Sequence, residues 1–179
     1  MAICSINQNI LRDTACGYTL GATNYIYLLN FGEVSAVTVD TSSGQVVSDI
    51  TFNTGGKAYK MQPLKNSASW TDELVVADDG TKHRTHTVNF NLNAAYDANG
   101  KLVDSIDALS LGKYIAVIAK SDGSYVMLGR TAGLEATVVT VGGSDDNSTP
   151  TAIQITLAGD QAESALPLNS TAIAEITSF

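Results

Sequence analysis

Between Ser67 and Leu92 the chain alternates. From Arg84 to Leu92, His86, Val88, Phe90 and Leu92 take every second position, and Thr85, Thr87, Asn89 and Asn91 take the positions between them. Successive side chains of an extended strand point to opposite faces, so this period of two predicts a strand with one buried face. Ser67 to Val76 has the same period. Ala68, Trp70, Leu74 and Val76 form its apolar side, Ser69, Thr71 and Glu73 its polar side, and Asp72 is the exception among the apolar set. Asp78-Asp79-Gly80-Thr81 joins the two segments with turn residues, so a long hairpin is expected, with one neutral-to-acidic polar wall.

A second pattern is continuous. Tyr114 to Ala119 is apolar at every position, which predicts a strand covered on both faces. Ser121-Asp122-Gly123-Ser124 supplies the turn that folds Tyr125 to Leu128 back beside it as a core hairpin. Tyr25 to Phe31 and Val34 to Val39, separated by Gly32-Glu33, read as another hairpin, and Gln45 to Phe52 follows the Ser42-Ser43-Gly44 turn. Lys57 to Leu64, Leu134 to Val141, Ala152 to Leu157 and Ala172 to Ile176 are further expected strands, with Gly142 to Pro150 as a polar loop.

One helix is expected at Asp104 to Leu111, beginning as early as Lys101, because Leu102, Ile106 and Leu109 recur at helical spacing. A helix this short is marginal in water and needs a sheet to pack on. The expected fold is mainly β: a sandwich or barrel of antiparallel strands with one short flanking α-helix, as a single domain over residues 1–179 with an N-terminal arm at about 1–20.

Composition sharpens this picture. Charged residues are 16% of the 179, against roughly 25% in an average soluble domain. Surfaces are therefore expected to be covered by neutral polar groups or by other subunits, and assembly enters as an expectation. The net charge of −8 argues against a surface that grips phosphates. It is compatible with one that lets a polyanion slide past, since repulsion removes the sites that would hold it.

Candidate chemistry is sparse. Cys4 and Cys16 match neither a CxxC redox motif nor a zinc site, and both reduced thiols and one local disulfide fit their spacing. MAICSINQNILRD lacks a basic leader followed by an apolar run, and the apolar runs are too short to cross a bilayer, so a product of the cytoplasm with no membrane partner is expected. His83 and His86 fall on opposite faces of a strand and would need a bulge to share a metal. Asp145-Asp146-Asn147 lacks the spacing and terminal Glu of a calcium loop. Asp160 and Glu163 flank Gln161-Ala162 and read as a surface pair. Asn147-Ser148-Thr149 and Asn169-Ser170-Thr171 match glycosylation acceptors, a match with little weight where no secretory leader is seen. GxSxG, HExxH, GxxxxGK[ST] and GxGxxG are absent. The expectation is a protein that is not an enzyme, with no catalytic, cofactor or metal residues.

The order of features carries a resemblance: ICSINQNILRDTAC, NYIYLLNFGEVSAVT, the pair SASWTDELVV and HTVNFNL, the helix KLVDSIDALSLG, then YIAVIAKSDGSYVMLGRTAGLEAT and TAIQITLAGDQAESALPL. Together they resemble tail tube proteins of tailed bacteriophages, particularly of phages infecting Bacteroidetes. The resemblance implies a structural virion protein, made in the host cytoplasm, whose hexameric rings stack into a channel for the genome. Implied partners are further copies of itself, the tape measure, terminator and baseplate proteins, and in contractile tails a sheath, with transient passage of DNA.

On that reading Ser69, Thr71, Glu73, Thr85, Thr87, Asn89 and Asn91 line the lumen, while Ile6, Ile10 and Leu11 of the arm and Asp79 and Lys82 of the hairpin tip meet neighbouring subunits. Other ring components, such as a tail terminator, collar or baseplate protein, are the alternative. A carbohydrate-binding or adhesin sandwich is a third class, and would need exposed aromatics clustered on one face.

Overall fold

Eleven strands and two α-helices form from residues 23–42, 44–93, 101–142 and 152–178, the parts of the chain that the computed structural model describes. In chain order these are β1 (Thr23–Asn30), β2 (Val34–Asp40), β3 (Val46–Phe52), β4 (Ala58–Met61), β5 (Ser69–Val76), β6 (Lys82–Asn93), α1 (Lys101–Leu111), β7 (Lys113–Lys120), β8 (Tyr125–Leu128), β9 (Leu134–Gly142), β10 (Ala152–Gln161), β11 (Leu166–Pro167) and α2 (Ser170–Thr177). The arm at about 1–20, with Ile6, Ile10, Leu11, Cys4 and Cys16, lies outside the described residues, as do Asp145-Asp146-Asn147 and Asn147-Ser148-Thr149.

The continuous apolar run has the predicted consequence. Tyr114 to Ala119 are all buried in β7, which has β1 along one edge and, along the other, β8 over Ala116 to Ala119 and β9 at Lys113 and Tyr114. That division splits one nine-stranded antiparallel sheet into two leaves, β4-β1-β7-β8-β11 and β9-β10-β6-β5. Ile26, Leu28, Ala116, Ile118 and Leu128 of the first leaf pack against Val88, Phe90, Ile153, Ile155 and Leu157 of the second. The alternate residues of the first leaf, Tyr27, Leu29, Ile115, Val117 and Met127, point the other way onto Val47 and Ile50 of β3 and Ala172 and Ile176 of α2. The mainly β, sandwich-like fold is therefore present, with the first leaf as its middle layer. In α1, Ile106 and Leu109 pack on the inner core, and the Tyr114 hydroxyl donates to the Ala108 carbonyl at 2.6 Å.

Three details differ from the sequence-based expectation. Val34 to Val39 does not pair with Tyr25 to Phe31: both edges of β1 are taken, by β4 and β7, so a single 3-10 turn at Phe31–Glu33 sends β2 away to pair with β3. Ala172 to Ile176 is not a strand but part of α2. The Asn169 side chain accepts from the Ala172 amide at 2.9 Å as an N-cap, and Ala172 and Ile176, four apart, are its buried face. Leu74 and Val76, placed on the core face by their period, are 53% and 56% exposed, because the β5–β6 hairpin runs on past the packed layers.

Candidate functional site

The alternation in β5 and β6 puts all seven expected polar residues on one surface. The register sets Ser69 opposite Asn89, Thr71 opposite Thr87 and Glu73 opposite Thr85, with Asn91 next along β6. Strand β10 continues the surface on the far side of β6, with Gln154 beside Asn91, Thr156 beside Asn89, Ala158 beside Thr87 and Asp160 beside Thr85. Strand β9 adds Thr140 and Val138. Two cross-strand bonds tie the rows together: Thr156 Oγ1 donates to Asn89 Oδ1 at 2.8 Å, and Thr85 Oγ1 to Asp160 Oδ1 at 2.7 Å. The charged groups the register puts on this face of the four strands are Glu73, Asp160 and, at its margin, Glu135, with His83 3.7 Å from Asp160. The β6 cations avoid it, since Lys82 and Arg84 project from the opposite face, in register with Val76 and Leu74. Gln154 and Thr156 alternate with Ile153, Ile155 and Leu157, so the contribution of β10 had its own period-two signal in the sequence.

Behind that wall lies the reason Asp72 interrupts an apolar face. Its carboxylate takes Arg84 Nε at 2.5 Å and the Ala165 amide at 2.9 Å, and its Oδ1 lies 3.3 Å from His86 Nε2. His86 is 1% exposed, and its Nδ1 accepts from the Gly129 amide at 3.2 Å, which leaves the ring proton on Nε2, facing Asp72. The Nε2–Oδ1 contact is close but not aligned as a hydrogen bond, so packing holds the ring beside the carboxylate. Gly129 has φ +78, and a Cβ there would come within 2.6 Å of Leu134 Cγ, so the amide that meets His86 depends on glycine.

Burial raises the Asp72 pKa, but the bonds from Arg84 and Ala165 and the neighbouring His86 and Arg84 outweigh it, leaving the carboxyl below its ordinary range. Burial lowers the His86 pKa, which the charge of Asp72 offsets only in part, so the imidazole is held neutral. Close by, Arg130 and Glu163 form a two-pronged ion pair. Gln161 Oε1 accepts from the amides of Thr131 and Ala132, fixing the turn between β8 and β9. Each of these side chains is bonded to a neighbouring protein group, with His86 Nε2 left without a hydrogen bond of its own, and the cluster is suited to bracing the sheet from behind.

The remaining candidates separate. Asp160 and Glu163 have different partners, Thr85 and Arg130, and do not act as a pair. His83 and His86 occupy opposite faces of β6. Among the described residues no group of three or more His, Cys, Asp or Glu could hold a metal ion. The Asn169 side chain is committed to capping α2. Asp79 and Lys82 are exposed at the hairpin tip, where Asp79 accepts from the Thr81 hydroxyl and amide and its pKa is lowered by those bonds. A cavity of about 250 Å³ between α1 and β4 is lined by Leu28, Met61, Leu109 and Tyr114 and is mostly apolar. No helix of the described residues is long and apolar enough to cross a membrane. No protein-family model, curated protein or solved structure matches this chain.

Proposed function

We propose that this chain is the building block of a phage tail tube, forming stacked rings, hexameric in the family it resembles, around a channel through which the genome passes. The observation that carries this reading is the largely polar face of β9-β10-β6-β5, interrupted by Val138 and Ala158 and neutral to acidic across four strands, with the lysine and arginine of β6 turned to its other side. A channel for a polyanion needs a wall that is wetted and does not grip phosphate, and hydroxyl, amide and carboxylate groups on a stiff sheet supply one. Ring closure is supported by the open sides of the same leaf: among the described residues β5 pairs only with β6, and β9 beyond Glu135 pairs only with β10. Unpaired strand edges favour pairing with another chain. An adhesin or carbohydrate surface is less well supported, since Trp70 and Tyr25 are half-buried and Tyr114 is buried.

Negative-stain microscopy of the purified protein tests assembly directly: rings or tubes are expected, and a monomer at high concentration would count against the reading. The lumen assignment is tested by Thr87→Lys with Asn89→Lys. That double variant is expected to fold and assemble but to slow DNA delivery by reconstituted particles, because it places two ammonium groups on the wall. Unchanged delivery would remove this face from the channel.

A further inference from the structure

The chain carries a net charge of −8, yet between Asp49 and Asp72 it contains three lysines, Lys57, Lys60 and Lys65, and no Asp or Glu. All three are exposed, and no carboxylate of the described residues forms an ion pair with them. Lys113, Lys120, Arg84 and Arg130, by contrast, each have one. Lys60 lies over the Tyr25 ring at 3.8 Å. Beside it opens a groove of about 470 Å³, lined by Asn24, Tyr25, Gln62, Lys65 and Asn66, which offers amide donors and an ammonium group.

The position of this groove matters as much as its charge. The Leu64 amide donates to the Asn91 carbonyl at 2.8 Å, and the Ser67 hydroxyl bonds to the Leu64 and Asn91 carbonyls, which fastens the basic segment beside the Asn91 end of β6. The other end of β6 begins at Lys82 and leads into the Asp78–Thr81 turn. Nine residue steps of extended strand lead from Lys82 to Asn91, about 30 Å at roughly 3.3 Å per step. The turn end carries exposed Asp78, Asp79, Glu73 and Asp160, with Lys82 as the opposing charge. The hairpin therefore has an acidic end and a basic end.

We propose that the groove flanked by Lys60 and Lys65 receives the Asp78–Thr81 turn of a second copy, joining subunits head to tail. The proposal rests on the tube reading and gives its stacking contact a partner. Two different patches at opposite ends of one axis repeat by translation, so the contact does not close on itself and gives open growth in one direction. Opposite charge selects the partner, because any other approach of two copies brings together surfaces that are mostly anionic.

The test is a charge exchange in the full chain. Lys60→Glu with Lys65→Glu makes both ends acidic, and Asp78→Lys with Asp79→Lys makes both basic. Each variant alone is expected to need at least about tenfold more protein to assemble, by sedimentation and negative-stain microscopy, because like charges then meet at the contact. Mixed in equal amounts, the two variants present complementary ends again and are expected to assemble near the wild-type concentration. Thermal unfolding of each variant checks that it folds, and milder Lys60→Gln with Lys65→Gln is expected to give a smaller shift.

Wild-type assembly by both variants alone, or failure of the mixture when both melt like the wild type, would overturn the proposal and leave the tube reading standing. A wild-type chain that forms no rings or tubes would overturn both. If Lys60→Glu with Lys65→Glu assembles normally but loses binding of a single-stranded oligonucleotide, the patch binds polyanion and the proposal fails.

Discussion

Strands β6 and β7 are both central to the fold, and they are built on opposite rules. β7 is buried from Tyr114 to Ala119 because one face meets the second leaf and the other meets β3 and α2. β6 has neighbours on both edges but a core on one face only, so Val88 and Phe90 are fully buried while Thr85, Thr87, Asn89 and Asn91 keep partial contact with solvent. An antiparallel strand shielded on both faces needs an unbroken apolar run, and one shielded on a single face needs alternation. What differs between them is whether one face is left open to solvent. The middle layer holds the molecule together, and the outer leaf presents a polar wall.

The largest expected effects test that asymmetry. Phe90→Ala should lower stability by about 3–5 kcal/mol, and Ile115→Ala and Ile118→Ala, from opposite faces of β7, by about 2–5 kcal/mol each. Thr87→Ala, one strand face away from the core, should stay within about 0.5 kcal/mol. Urea unfolding measures all four. A Thr87 cost as large as that of Phe90 would show that the outer face of β6 is packed.

Next in size is the brace behind the wall. Asp72→Ala leaves Arg84 and His86 without their carboxylate and should cost about 2–3 kcal/mol. The same cluster sets a pH dependence. His86 has a folded pKa below its ordinary value of 6.5, so the unfolded chain binds the proton more readily, and stability is complete above about pH 6.5 and falls as the solution is acidified. Asp72, with its folded pKa also lowered, adds stability that is lost further down, as pH drops through the folded carboxyl pKa. The urea midpoint should therefore decline below pH 6.5, and His86→Gln should remove the upper part of that decline; a midpoint independent of pH between 7 and 5 would contradict the neutral, buried imidazole.

Smaller still is Asn169→Ala, which removes the α2 cap and should cost about 1 kcal/mol by thermal unfolding. A loss near zero would mean that the packing of Ala172 and Ile176 on β3 alone fixes that helix. At the lower end, Thr87→Lys with Asn89→Lys should change stability by less than about 1 kcal/mol while altering DNA passage, which separates the wall's use from the fold's needs.

Much of this was legible in the sequence for a local reason. The period of two in β5 and β6, the turn at Asp78 to Thr81 and the unbroken run in β7 each specify a strand and its covered faces without reference to distant residues. The lumen candidates were found as a set because one face of one hairpin holds them. Asp72 was legible only as an exception: its partners come from β6 and from Ala165, 93 positions away, and no local pattern points to that meeting. The C-terminal helix was misread because Ala172 to Ile176 is too short and too apolar to show a clear period, and its decisive signal is the Asn169 cap.

By itself, then, the sequence determined which segments before the C-terminal helix are extended, which of their faces are apolar, and that charge is sparse and mostly negative. Only the tertiary structure decided that β2 leaves β1 for β3, that β10 widens the polar wall, and that the groove beside Lys60 and Lys65 lies at the opposite end of β6 from the acidic turn. The physical reason is that strand direction and side-chain period are local properties of the backbone. Pairing is not local: it depends on which edges remain open once β7 has taken β1, β8 and β9 as neighbours.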